Sequence, residues 1–134
     1  MASSELRLIK HALEYRPKED INLVPMKTRG IYALYQKAHD KENYDLVYIG
    51  MARGLQTGIR KRLISHMKNK PGLWSHFSIF EVWDNIREDE VEELEGLFRH
   101  LFKKDAKANS LNKQKGYKKL NRLQKHTLKE WHIS

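Results

Sequence analysis

Gly30-Ile31-Tyr32-Ala33-Leu34-Tyr35 and Asp45-Leu46-Val47-Tyr48-Ile49-Gly50 are the two stretches on which the fold turns. Each is a short run rich in β-branched and aromatic residues, with a glycine at one end. The polar residues 36–44 between them read as a loop, so the pair predicts a β-hairpin with a long tip. A glycine in such a place permits a tight turn or the close approach of a backbone or ligand. A strand tyrosine is ordinarily core or sheet surface, and neither string alone points to chemistry.

Downstream, Gly58 introduces a helix predicted over about Ile59–Asn69, with Ile59, Leu63 and Met67 as its buried stripe; Pro71-Gly72 stops it. Phe77–Trp83 reads as a third strand. A longer helix is predicted over about Glu88–Lys104, where Val91, Leu94, Leu97, Phe98, Leu101 and Phe102 form an apolar face. Acids in its first turns and Lys103 and Lys104 at its end suit the helix dipole. Upstream, Ser3 or Ser4 can cap a helix over about residues 4–15, carrying Leu6, Leu8, Ile9 and Leu13 and ended by Arg16-Pro17. A basic C-terminal helix is predicted over about residues 116–131, with Leu120, Leu123 and Trp131. The expected class is α/β of the α+β kind. It has a small three-stranded, mainly antiparallel sheet flanked by helices, with extra N- and C-terminal helices. Residues 1–134 form a single domain on this reading.

The chain has 26 Lys and Arg against 17 Asp and Glu, no cysteine, and a net charge of +9. Without cysteine there is no disulfide framework, thiolate metal site or cysteine nucleophile. Neither a signal-peptide core nor an apolar run of roughly 20 residues occurs, so a soluble cytoplasmic protein is expected, with no membrane partner and with association with the nucleoid left open. The charge is uneven: residues 53–70 carry net +6, residues 81–95 net −7 and residues 99–130 net +9. A basic surplus suggests a polyanionic partner. The acidic block is ordinarily a solvated helix face, but a site holding a metal beside a phosphate uses one carboxylate of this kind.

Two helical positions narrow the choice. At about 100° per residue from Ile59, Arg62 falls near −60° and His66 near −20°, so both border the buried stripe. Counted from Val91, Glu95 falls near +40°, at the edge of the apolar face in mid-helix. A charge at the rim of a core requires a partner. Each residue alone has a purely structural explanation: a salt bridge for Arg62, an edge-of-core imidazole for His66, and a bridge to Arg62 for Glu95.

Taken in order, these residues resemble the GIY-YIG nuclease family. Gly30-Ile31-Tyr32 and Tyr48-Ile49-Gly50 spell its two motifs, Arg62 fits its helical arginine, His66 the histidine one turn later, and Glu95 its metal-binding glutamate. The resemblance covers about residues 28–112. It departs in a longer segment between the two tyrosines, a long connection from Gly50 to Arg62, and Met51 where many relatives carry lysine or a small polar residue. Arg53 is the available substitute for that lysine. The asparagine that usually follows the glutamate helix is Asn109 or Asn112, with no basis for choosing.

The resemblance implies a stand-alone, metal-dependent DNA endonuclease that hydrolyses phosphodiester bonds, acting on double-stranded or branched DNA. One Mg²⁺ or Mn²⁺ would be held by Glu95, Arg62 would bind the scissile phosphate, and His66 would relay a proton or bind phosphate. Tyr32 or Tyr48 would orient or deprotonate the water; Tyr32 is preferred as base and Tyr48 as its partner, with the reverse open. A phenol titrates near 10, so a base of this kind needs a cation nearby. Arg53, Arg60, Lys61, Lys68 and Lys70 are candidates to track DNA phosphates, a contact that gives salt-dependent affinity without sequence readout. The competing readings are a catalytically weak or inactive nucleic-acid-binding protein on the same fold, and a subunit whose basic face binds an acidic protein.

Overall fold

The hairpin forms: β2 (Gly30–Lys37) pairs antiparallel with β3 (Tyr44–Ala52), with Tyr32 opposite Gly50. The computed structural model describes residues 8–37, 44–54, 58–104 and 118–133, and the side chains of these except at 97, 99–104 and 118. β4 (His76–Val82) pairs antiparallel with β2 on one side and with β1 (Ile9–Pro17) on the other. The result is an α+β fold with a four-stranded antiparallel sheet, in the order β1-β4-β2-β3, flanked by helices.

β1 is a correction to the sequence reading. Residues 9–15 belong to this strand, not to a helix over 4–15; Ser3, Ser4 and Leu6 lie outside the described residues. The spacing of Leu6, Ile9 and Leu13 imitates a helix, but β1 is covered on both faces. Consecutive residues His11, Ala12 and Leu13 are therefore all buried, and no period-2 signal survives. Arg16, which precedes proline, is biased toward extended backbone and continues the strand. Between Leu13 and Arg16 the register shifts, and Tyr15 adopts a left-handed φ of 54°. Its N–H donates to Ser78 Oγ at 3.0 Å, outside the regular ladder.

The helices α1 (Gly58–Asn69), α2 (Glu88–Lys104) and α3 (Lys118–Glu130) match the predicted segments within two residues. Alternate strand residues face opposite sides. Tyr32, Leu34, Phe77 and Ile79 pack with Ile59 and Leu63 of α1. Ile31, Ala33, Ile49 and Val82 pack with Val91, Leu94 and Phe98 of α2. Leu97, Leu101 and Phe102 lie outside the described side chains. Met67 does not belong to the α1 stripe: it is 39% exposed, and Ile64 packs on the core instead. Each four-residue step advances a side chain by about 40° around the axis, which carries Met67 off the sheet.

α3 lies along β1 and closes that edge of the sheet. Thr127 Oγ1 accepts the Ala12 N–H at 3.1 Å and donates to the Leu123 carbonyl at 2.9 Å. Gln124 Oε1 accepts the Glu14 N–H. Two helix side chains thus take the outward-facing N–H groups of β1 that a further strand would otherwise take. His11 adds a polar anchor, meeting Glu81 of β4 through Nδ1 and Glu130 of α3 through Nε2, with Trp131 packed 4.8 Å from its ring. Among the described residues, no helix is long and apolar enough to cross a membrane.

Candidate functional site

The two motif glycines have different physical jobs. Gly30 sits at φ +149°, against the β4 backbone; a β-carbon there would strike the Phe80 carbonyl oxygen. Gly50 leaves room for an aromatic ring. A β-carbon on it would lie 2.5 Å from Tyr32 Cζ and Oη and 2.7 Å from Tyr48 Cε2. The absent side chain of β3 is therefore the space into which the Tyr32 phenol is laid.

Tyr32 is 1% exposed, and its hydroxyl is hydrogen-bonded to His66 Nε2 at 2.8 Å. Tyr48 and His66 are half-buried. Their ring centroids lie 4.7 Å apart, and the Tyr32 and Tyr48 rings are 6.1 Å apart, so the three rings form one cluster. The spacing within α1 does the rest. Lys70 follows His66 by four residues, its ammonium 3.3 Å from His66 Nδ1 and 5.0 Å from the centre of the Tyr48 ring. The His66 carbonyl accepts the Lys70 N–H at 2.9 Å and the Trp74 indole N–H at 3.3 Å, which ties the helix end to the core.

Electrostatics distinguish these groups. Burial pushes the Tyr32 phenol well above its ordinary value, interaction with Tyr48 pushes it further, and the positive charge of Arg62 acts the other way. His66 is held below the usual imidazole value by burial and by the neighbouring charges of Lys70 and Arg62. It is thus kept neutral near pH 7.

Tyr32, Tyr48 and His66 meet at one place, and Arg62, although exposed, acts electrostatically on Tyr32. Glu95 is half-buried on α2, and α2 packs on the sheet face opposite Tyr32. The candidate phosphate-binding cations differ among themselves. Lys61 and Lys68 are exposed on α1. Arg53 pairs with Glu92 at 3.3 Å, and Arg60 donates to Asn22 Oδ1 at 3.4 Å. Lys70, grouped with them by sequence, instead belongs to the aromatic cluster. Its i, i+4 spacing from His66 was the available signal. Asn109 and Asn112 lie outside the described residues.

Among the described residues no three histidines or carboxylates are grouped as a metal cage. A hard cation such as magnesium keeps several waters and takes one or two carboxylates plus substrate phosphate. Glu95 supplies one carboxylate at the rim of the α2 core.

Neutral imidazole, two phenols and two cations gathered beside a glycine gap define a polar aromatic site suited to an anionic ligand. Comparison with models of known protein families, with curated proteins and with solved structures finds no match to this chain.

Proposed function

We propose that the protein is a metal-dependent DNA endonuclease of the GIY-YIG type. The observation that carries this reading is the convergence of Tyr32, Tyr48 and His66, drawn from β2, β3 and α1, over the side-chain-free Gly50. Hydrolysis of a phosphodiester requires a positioned water, neutralised phosphoryl oxygens and help for the leaving oxygen. On this reading a tyrosine hydroxyl orients the water and the Arg62 guanidinium binds the phosphate with charge-assisted hydrogen bonds. Lys61 and Lys68 extend the cationic surface along the substrate backbone. Glu95 would hold one Mg²⁺ or Mn²⁺, which supplies charge neutralisation at the phosphate when bound.

The packing of α2 on the opposite sheet face favours a second reading, a nucleic-acid-binding protein without catalysis. One assay separates them. Supercoiled, branched and single-stranded DNA are incubated with Mg²⁺ or Mn²⁺ and with wild type, Glu95→Ala or Arg62→Ala. The endonuclease reading expects cleavage by wild type alone, with both variants folded and inactive. Cleavage that survives in Glu95→Ala, or in excess EDTA, overturns it; DNA binding without cleavage supports the second reading.

A further inference from the structure

The 2.8 Å contact between Tyr32 Oη and His66 Nε2 allows the proton to sit on either atom. The ammonium on the far side of the ring removes that freedom. An ammonium has three donors and no acceptor, and a neutral imidazole has one of each. Lys70 Nζ lies 3.3 Å from Nδ1, so Nδ1 must be the accepting nitrogen. The ring proton then resides on Nε2, and the Tyr32 oxygen receives it. Lys70 is held to this task from two directions: its N–H donates to the His66 carbonyl at 2.9 Å, and its ammonium rests 5.0 Å from the centre of the Tyr48 ring.

We propose that Lys70 is a positioning residue that fixes His66 as the Nε2–H tautomer, so that hydrogen bonds run in one direction from Lys70 through His66 and Tyr32 to the Tyr48 hydroxyl. Tyr32 is buried at 1% exposure, and its oxygen accepts from His66 and lies under the influence of the Arg62 charge, which leaves its own proton to turn toward Tyr48, whose ring centre is 6.1 Å away. The interaction with Tyr48 that raises the Tyr32 pKa has this sense. Tyr48, half-buried, is the accepting end of the chain and the phenol available to a water or phosphate. Accepting a hydrogen bond draws charge from its oxygen, so its own O–H becomes the stronger donor toward a water or phosphate, because each donor upstream polarises the next. The two tyrosines thereby exchange the roles preferred from sequence: Tyr32 is the buried relay and Tyr48 the outward group. The groups facing His66 are Tyr32 from β2, Tyr48 from β3, and Arg62 and Lys70 from its own helix.

The tautomer claim stands by itself; its catalytic consequence rests on the endonuclease reading. Nitrogen-15 NMR of the full chain, with His66 assigned by comparison with His66→Gln, reads the tautomer directly. Wild type is expected to carry Nε2–H with an unprotonated Nδ1. Lys70→Met is expected to shift the ring toward Nδ1–H, and Lys70→Arg to retain the wild-type form. A wild-type ring with Nδ1–H, or an unchanged tautomer in a folded Lys70→Met, overturns the proposal. In cleavage, Tyr48→Phe is expected to lower kcat roughly a hundredfold or more, the scale of a lost acid–base group. Lys70→Met is expected to cost less, at unchanged KM, and to be rescued by Lys70→Arg. A larger loss in Tyr32→Phe than in Tyr48→Phe overturns the exchange of roles. A wild-type protein that does not cleave defeats the endonuclease reading, while the NMR result still decides the role of Lys70.

Discussion

Replacing Gly50 with alanine tests the core of the site with a single methyl group. The added carbon would lie 2.5 Å from Tyr32 Cζ and Oη and 2.7 Å from Tyr48 Cε2, well inside contact distance. A ring at a surface would swing away at little cost. Tyr32 is 1% exposed, hydrogen-bonded to His66 and packed in the Leu63 core, so it yields only by displacing its neighbours. Overpacking of this kind costs about 1–3 kcal/mol. Loss of the Tyr32–His66 hydrogen bond adds about 1 kcal/mol. For a chain of this length that corresponds to a fall in Tm of about 10 °C. Gly96→Ala is the matched control: a β-carbon there meets nothing within 4 Å, in the interior of α2. It is expected to stabilise by up to about 1 kcal/mol, because alanine favours the helix over glycine. Thermal unfolding followed by circular dichroism reads both variants. A Gly50→Ala protein with the Tm of wild type and an undisturbed His66 resonance would refute the account of the glycine gap.

Three further expectations follow from the same geometry. Thr127→Val removes the acceptor of the buried Ala12 N–H and is expected to destabilise by about 1–3 kcal/mol in denaturant titration; an unchanged midpoint would show that the β1 edge has another partner. Glu130 is subject to burial, which raises its pKa, but hydrogen bonds and charge from His11 and His126 outweigh this and hold it below the ordinary carboxylate value. A carboxylate depressed on folding contributes stability above its unfolded pKa and loses it as pH falls through the folded one, so Glu130→Gln should flatten the acid limb of a Tm-versus-pH curve below about pH 4.5. If Lys61 and Lys68 each neutralise a phosphate, their joint replacement by alanine should reduce the slope of log affinity against log salt by about two, measured by fluorescence anisotropy on duplex DNA; an unchanged slope would remove them from the interface.

Most elements were legible because their signals are local. The β2–β3 hairpin announces itself by two apolar runs, each with a glycine at one end, and α2 by an apolar face of several turns. β1 was not legible, because it is a strand by virtue of its partners. β4 supplies the ladder and α3 the covering side chains, from positions 70 and 115 residues away in the His11–Glu81 and Ala12–Thr127 pairs. The site divides the same way. Helical angles place Arg62 and His66 at the rim of the α1 stripe, but an angle about one helix axis does not say which strand residue lies opposite. The Tyr32–His66 bond and the place of Lys70 therefore appear only when β2, β3 and α1 are assembled. For Glu95 the angle was informative about burial and silent about which face of the sheet α2 would occupy.

The closure of the β1 edge by α3 also bears on the order in which the molecule can be completed. The β2–β3 hairpin and α1 are contacts between near neighbours in the chain, and such contacts form with little loop-closure cost. β1 leaves the ribosome before all of them, yet its outward N–H groups wait for Gln124 and Thr127. Until residues 118–133 emerge, a nascent chain would carry an assembled aromatic site at one side of the sheet and an open strand edge at the other, and an unpaired edge is the feature by which incomplete β-proteins add to one another.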